Sequence, residues 1–290
     1  MAIEPLIVIQ AVVIGLLLGG VYGSLSMGLS VIFGVLKIIN FAQADFMTLG
    51  MYFGLSLSLA FAFDPVISFF VAIPLFLVLG IVIERVAVVH VIDKPDTSQL
   101  LMTLGLSIIL QNVVLTVWGP NFIIQQTHYS AEVLQLGPFF LSVAQAIAFG
   151  LSVLVGVTLT LVIYRTDFGR VVRATVNDRD AALLVGINVR RVYVVMFGVG
   201  IALAGAAGVL LAMYYPMYPT VGNSFVLVMF LSVMLGGLGN ILGSLVAGMA
   251  IGIVQSVFSL LLPNQLTLLP VYILFLVALI APTPRRHHRR

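Results

Sequence analysis

Residues 66–83 read VISFFVAIPLFLVLGIVI, a run that carries no charged side chain. A helix needs about 20 apolar residues to cross the hydrocarbon core of a bilayer, so this run is long enough to do so. Comparable runs recur along the chain, and they are continuously apolar, whereas transmembrane strands alternate between apolar and polar residues. The sequence therefore predicts an all-α polytopic membrane protein.

The composition excludes the other broad classes of protein. Of the 290 residues, 61 % are hydrophobic and 8 % are charged, whereas soluble domains have about 25 % charged residues. The sequence has no cysteine, which excludes disulfides and thiolate chemistry. A net charge of +3 is too small to indicate a nucleic-acid partner. The spans fill the chain, so residues 1–290 are predicted to form a single transmembrane domain.

The apolar runs predict about nine spans, with a range of eight to ten. Their approximate bounds are 6–30, 41–63, 66–83, 99–118, 139–164, 192–213, 225–242, 243–262 and 266–282. The first run is too long for the apolar core of a cleavable signal peptide and is not preceded by a basic cluster. We therefore interpret it as an uncleaved first span.

The basic residues orient this map. All 13 lysines and arginines fall on one side of it, in five groups: Lys37; Arg85 and Lys94; Arg165, Arg170, Arg173 and Arg179; Arg190 and Arg191; and Arg285, Arg286, Arg289 and Arg290. Short cytoplasmic loops of membrane proteins collect such residues. We therefore predict an external N-terminus, a cytoplasmic loop at 165–191 and a cytoplasmic basic tail at 283–290 that lies against lipid head groups.

Two polar or glycine-rich breaks interrupt the apolar pattern. The first, at residues 31–45, reads VIFGVLKIINFAQAD, and the second, at 234–245, reads MLGGLGNILGSL. Irregular backbone at membrane depth persists where protein or a watery cavity satisfies it, and paired breaks in the two halves of a transporter indicate a transport path. The candidate path residues are Asn40, Phe41, Gln43, Asp45, Gly236, Gly237, Gly239 and Asn240. Ordinary tight cytoplasmic turns remain the alternative for both breaks.

Asp45 is the one serious candidate for an ionisable residue inside the membrane, and such residues are functional candidates by default. We expect it to lie just inside the cytoplasmic boundary, near Asn40 and Gln43. Small residues four positions apart, such as Gly15, Gly19 and Gly23, additionally predict closely packed helices.

No catalytic constellation accompanies these features. The sequence lacks an H-E-x-x-H metal motif, a G-x-S-x-G nucleophile elbow and a Walker A phosphate loop. The sequence therefore predicts a protein that is not an enzyme and holds no metal or cofactor.

The segment RTDFGRVVRATVNDRDAALLVGINVRR, residues 165–191, carries most of the remaining signal. Helical spacing places Arg170, Arg173, Asn177 and Asp180 on one face, and Gly186 provides a helix stop. The pattern predicts a short amphipathic helix outside the membrane with small residues exposed for a close partner. A surface helix resting on lipid head groups is the alternative.

Three sequence blocks resemble LivH-type permeases of the branched-chain amino acid uptake family of ABC importers. The block Asp180-Ala181-Ala182-x3-Gly186 is similar to the E-A-A-x3-G signature of bacterial importer permeases, with aspartate in place of glutamate. The other two blocks are Phe33-Gly34-Val35-Leu36 with Ile39-Asn40-Phe41-Ala42, and Leu235–Asn240 with Gly243. One departure is Gln43-Ala44-Asp45, which stands where many relatives have His-Gly-Glu.

The resemblance implies a type II importer fold in the bacterial cytoplasmic (inner) membrane. It implies three kinds of partner besides lipid: a second, LivM-type permease, two ATPase subunits that hold ATP and Mg, and a periplasmic or extracellular substrate-binding protein. Arg170, Arg173, Asp180, Ala181, Ala182 and Gly186 would then couple this chain to an ATPase subunit. The substrate is expected to be a branched-chain or other amino acid, with urea, short amides and small carboxylic acids as alternatives. A secondary transporter that uses Asp45 for ion coupling is the competing function.

Overall fold

The structure is a computed structural model that describes residues 5–130, 132–263 and 266–280. Its helices are α1 Pro5–Leu36, α2 Gln43–Phe61, α3 Pro65–Val86, α4 Asp96–Trp118, α5 Val143–Arg165, α6 Asp167–Asn177, α7 Arg179–Leu184, α8 Val189–Ala212, α9 Asn223–Gly236, α10 Ile241–Phe258 and α11 Leu269–Ile280. Two antiparallel strands, β1 Val133–Leu136 and β2 Phe139–Ser142, form a hairpin before α5. The predicted basic tail, 283–290, lies outside the described residues.

Each predicted apolar run coincides with a helix. By length and composition, seven helices of the described chain could cross a membrane, namely α1, α2, α3, α4, α5, α8 and α10. Helices α9 and α11 are shorter, with 14 and 12 residues. The prediction of a purely helical chain is wrong at residues 139–142, where alternating exposure and the Gly137 turn place β2 instead of the start of a span.

Glycine faces hold the central helices together, as the small-residue spacing predicted. Helix α1 packs along α10, and a methyl group added at Gly19 would lie 2.5 Å from the Met249 Cα. Gly15 meets Gly252, and Gly23 meets Gly248, in the same way. Backbones approach this closely only where side chains are absent, and dispersion contacts then replace the weak hydrophobic driving force between helices in lipid.

The packing relates the two halves of the chain as an inverted repeat. Helix α1 packs on α10 as α8 packs on α3, and α9 packs on α1 as α2 packs on α8. Helices α1 and α8 run antiparallel and meet each other where Gly28 faces Gly200. Transporters built from inverted repeats place their binding sites near the repeat interface.

The basic side chains of the described residues gather at one end of the bundle, which we call the basic end. Lys37, Arg173 and Gly239 border one cavity there, and Arg85 and Arg190 border another. The ends of α1, α3 and α5 and the starts of α4 and α8 therefore lie on the same side, as the one-sided charge map predicted.

Candidate translocation and coupling sites

Helix α2 begins well inside the bundle. Helix α1 ends at Leu36, and the break at 37–42 opens with Lys37 in the left-handed region, at φ 61°. The Gln43 side chain lies against Gly28 and donates a 2.9 Å hydrogen bond to the Gly200 carbonyl oxygen. With a rise of about 1.5 Å per residue, Gly28 lies about 12 Å from Leu36 along the axis of α1. The chain therefore climbs back into the bundle before α2 starts.

Buried amides hold this break in place. The Asn40 Oδ1 accepts a 3.1 Å hydrogen bond from the Ala42 amide, and its Nδ2 donates to the Gln43 Oε1 at 3.1 Å. Both side chains are fully buried. The Phe41 ring packs 5.1 Å from that of Phe230 in α9. Asn40 and Gln43 thus brace the break, and Phe41 joins it to the second half of the chain.

Asp45 lies deeper than the sequence indicated. The residue is 3 % exposed, and its carboxylate accepts a 2.9 Å hydrogen bond from the Gln111 Nε2. Gln111 is about 22 Å along α4 from Asp96 at the basic end. Thr103, which lies on α4 between Asp96 and Gln111, donates a hydrogen bond to the Ile39 carbonyl oxygen. The break and the start of α2 therefore follow α4 away from the basic end. The expectation that Asp45 lies just inside the cytoplasmic boundary is therefore wrong.

Helix α9 begins beside the start of α2. Gly222 packs against the Ala44 carbonyl oxygen, and the Gln111 Nε2 also reaches the Asn223 Oδ1 at 3.4 Å. Gln111 additionally donates to the Ser107 Oγ at 3.3 Å. We call Asp45, Ser107, Gln111 and Asn223 the polar cluster. Asn223 is exposed, and hydrocarbon cannot satisfy such groups, so this surface must face water or another protein.

The position of its first turn explains why α9 is short. The Phe225 ring packs 5.8 Å from that of Tyr22, which lies about 21 Å before the end of α1. Fourteen residues then carry α9 down to Gly236 at the basic end. Two discontinuous helices therefore start midway along the bundle, with their N-termini adjacent.

The irregular segment that precedes α9, residues 213–222, is held by the loop after α4. Ile123 and Met217 exchange backbone hydrogen bonds of 2.9 and 2.8 Å. The Phe122 and Tyr218 rings pack 4.8 Å apart at the same place. These contacts join the loop after α4 to the segment that leads into α9.

The second predicted break has a different character. Gly237 and Gly239 adopt φ of 89° and 84°, and the Asn240 side chain caps α10 by accepting from the Gly243 amide at 3.0 Å. This tight, exposed turn joins α9 to α10 at the basic end. The structure favours the turn interpretation here, and the segment that corresponds to the first break is 213–222. Sequence alone missed this because residues 213–222 lack a cluster of glycines.

The coupling segment forms two helices in place of one. Asp178 is extended and interrupts the pattern, and its carboxylate accepts from the Asp180 and Ala181 amides at 3.0 Å to start α7. The predicted single face from Arg170 to Asp180 is therefore wrong, because the chain turns between the two residues. Gly186 has φ 83° and ends the segment, as expected for a glycine stop.

The exposed residues of α7 also differ from the prediction. Ala181 is exposed, but Ala182 is 2 % exposed and belongs to the core, so its predicted exposure is wrong. Leu184 and Val185 are instead 89 % and 76 % exposed, next to the half-exposed Leu183. These three residues, which we call the α7 tip, form an apolar projection. The run Ala-Ala-Leu-Leu-Val contained this signal.

Charged side chains anchor α6 and α7. Arg170 pairs with Asp167, and Arg173 donates to the Ile163 carbonyl oxygen. Arg179 pairs with Asp93 at 2.8 Å and so ties α7 to the loop between α3 and α4. The Arg179 hydrogen bond holds the pKa of the Asp93 carboxyl below its ordinary value. The tie is therefore present at neutral pH and is lost as the pH falls through that lowered pKa.

Comparison with known proteins covers nearly the whole chain. The profile of the family described as "Branched-chain amino acid transport system / permease component" matches residues 11–279. The permease LivH of Escherichia coli K12 is 29 % identical over 283 residues, 93 % of this chain and 92 % of the relative. The permease BraD of Pseudomonas aeruginosa is 29 % identical over 86 % of this chain and 85 % of its own length. No solved structure matches the chain significantly.

Proposed function

The chain belongs to the family of permease components of branched-chain amino acid transport systems, and from that premise we propose that it is the membrane subunit of an ATP-driven importer of branched-chain amino acids. The relatives LivH and BraD are named as permeases of high-affinity branched-chain amino acid transport systems. This chain matches them along 92 % and 85 % of their lengths. The single observation that carries the function is this end-to-end match on a multi-pass helical bundle.

The membrane arrangement that we propose has nine crossings, with the N-terminus outside and the basic end in the cytoplasm of a bacterial cell. Helices α9 and α11 add two crossings to those of the seven longer helices. In the crossing that contains α9, the irregular segment 213–222 spans the outer part of the membrane and α9 spans the rest. The gathering of basic side chains at one end supports this orientation. An inverted repeat with discontinuous helices is consistent with the type II importer architecture.

The polar cluster marks the translocation path. Substrate would pass along the surface on which Asp45, Gln111 and Asn223 meet, between this chain and a second, LivM-type permease. The buried Asp45 carboxylate and the amides beside it are suited to a zwitterionic amino acid, because they offer an anion and neutral donors at one place. Asn40 and Gln43 support the path by fixing the break, and Gly236–Asn240 support it only as a turn.

The α6–α7 segment is proposed to receive motion from an ATPase subunit. Two such subunits would hold ATP and Mg, and a periplasmic binding protein would deliver substrate from outside. The α7 tip supplies exposed apolar surface, and the exposed Arg170 of α6 and Asp180 and Ala181 of α7 supply polar and small groups on the same segment. A stabilised pair, Arg179–Asp93, would transmit displacement of α7 to α3 and α4.

The test is ATP-dependent uptake in a defined system. The complete transporter would be reconstituted in liposomes with its binding protein, and uptake of labelled leucine would be compared with and without internal ATP. We expect uptake only with ATP, and competition by isoleucine and valine. Uptake that follows a proton or sodium gradient without ATP would contradict the proposal, and uptake of urea or an amide in place of leucine would overturn the substrate.

A further inference from the structure

A cavity of about 440 Å³ opens at the basic end between α1, α5, α6 and the α9–α10 turn. Its volume is within the range of small-molecule sites in proteins. It is separate from the polar cluster, because none of the four cluster residues borders it. Neither the path nor the α7 tip uses it.

The cavity carries positive charge without a compensating carboxylate. Lys37 and Arg173 border it, and no acidic side chain of the described residues does. Within that part of the chain, neither cation forms a salt bridge: Arg173 bonds to a carbonyl oxygen and lies 5.6 Å from the Tyr164 ring centre, and Lys37 lies 5.9 Å from that of Phe33. Two cations that border one cavity without a carboxylate to pair with favour an anionic ligand there.

The polar wall of the cavity includes a hydroxyl without a partner. Ser30 borders the cavity, is fully buried, and its Oγ has no hydrogen-bond partner within the described residues. An unsatisfied buried hydroxyl costs free energy, so its presence calls for a ligand atom or water. The Asn177 amide borders the same space. Hydroxyl, amide, guanidinium and ammonium groups together are the donors that bind phosphate oxygens.

The backbone at Lys37 supports a role for its charge. Lys37 occupies the left-handed region that ends α1, a position that glycine takes most readily. A lysine in this conformation is strained, and its residue borders the cavity, so we infer that its charge is used there.

We propose that this cavity binds the phosphate group of an anionic phospholipid. The proposal rests on the membrane arrangement proposed above, in which α1 and α5 end at the cytoplasmic head groups beside this cavity. Exposed apolar side chains, Leu161 of α5 and Leu242 of α10, lie on the two flanking helices and offer surface for acyl chains. Basic pockets between spans on the cytoplasmic side are known to take phosphate-bearing head groups.

The proposal has one experiment, lipid binding to the full-length chain. Purified, delipidated protein is titrated with phosphatidylglycerol, and bound lipid is counted by native mass spectrometry. The test variant is Lys37→Gln with Arg173→Gln, and the matched control is Lys94→Gln, an exposed basic residue that does not border the cavity. We expect the apparent Kd to rise by about tenfold or more in the double variant, because each cation near head groups strengthens binding severalfold, and to stay unchanged in Lys94→Gln.

Two further arms separate the possible sources of the anion. Inorganic phosphate at millimolar concentration should fail to displace the lipid, and displacement would show that a free anion is the ligand and overturn the lipid assignment. The titration is repeated on the complete transporter, where the site should remain filled. Lipid that binds the isolated chain but is absent from the complex would show that the cavity receives an ATPase side chain.

A second variant tests the proposal if the double variant fails to fold. Val176→Trp keeps both charges and projects a large ring from a partly exposed position beside the cavity. It should also weaken phosphatidylglycerol binding, while Lys37→Arg should preserve it. Equal affinities in the wild type, the double variant and Val176→Trp would overturn the proposal.

Discussion

Asp45 shows how one residue can be identified from sequence and yet misplaced. The lone carboxylate in an apolar stretch was a sound functional candidate because charge inside a membrane is costly. Its depth was wrong, because the spacing gave no sign that the chain climbs back between Leu36 and Gln43. Gln111 and Asn223 were missed for the same reason: each is an isolated polar residue until the fold brings it to Asp45.

Replacement of Asp45 tests the polar cluster directly. Asp45→Leu should reduce uptake at least tenfold with the complex intact, because the apolar side chain leaves the Gln111 amide unpaired and removes the anion from the path. Uptake in proteoliposomes is the measurement, and Asp96→Asn, an exposed carboxylate at the start of α4, is the control.

A second substitution covers the case in which Asp45→Leu does not assemble. Gln111→Leu removes the donor and keeps the carboxylate, and it should also lower uptake. Normal uptake by an assembled complex carrying either variant would return the break at 37–42 to a purely structural role.

Ala62 offers a stability prediction at the same scale. It ends α2 with φ 52°, a conformation in which the Cβ of an alanine is sterically strained and glycine is not. Ala62→Gly should raise the thermal midpoint of the detergent-solubilised chain, by an amount that corresponds to at most about 1 kcal/mol. Ala60→Gly, inside the same helix, should lower it by about the same amount. A fall in both variants would contradict the strained cap.

At the scale of elements, sequence reasoning found the helices and missed how some of them begin. Long apolar runs located all nine main helices, because a continuously apolar segment satisfies its backbone hydrogen bonds in a bilayer by forming a helix. The α6–α7 corner was missed because Asp178 can equally well sit on a helix face or cap a new helix. The α9–α10 turn resembled a path break because glycine marks both.

The α7 tip gives the sharpest prediction for an element. Leu184→Glu with Val185→Glu should abolish the stimulation of ATP hydrolysis by loaded binding protein, because both side chains project from the fold and touch little of it. The chain should still fold and insert. The control is Ala182→Trp, which overpacks a buried site and should lower the yield of folded protein. Stimulation that survives the double variant would leave α7 as a surface helix only.

For the whole molecule, the structure supplies what one sequence could not, the relation between the halves. The inverted repeat is invisible in the residues because α1 and α8 share a packing role without sharing a pattern. It is visible in contacts, where Gly28 of α1 meets Gly200 of α8 and the start of α9 at Gly222 meets the start of α2 at Ala44. A path at this interface follows from the repeat, since rocking of the two halves changes access around a fixed point.

The most direct test of the proposed translocation path is the water accessibility of the polar cluster. The native sequence has no cysteine, so Gln111→Cys and Asn223→Cys can be modified without background in the assembled transporter. The comparison is Val78→Cys, which is exposed on α3 within one of the apolar helices long enough to cross a membrane.

A charged, membrane-impermeant thiol reagent should modify the cysteines at positions 111 and 223, at rates that change severalfold when ATP is added. The cysteine at position 78 should react only with an apolar reagent, because lipid covers it. Failure of the charged reagent at both cluster positions, in every nucleotide state, would contradict the central claim that substrate passes where α2 and α9 begin.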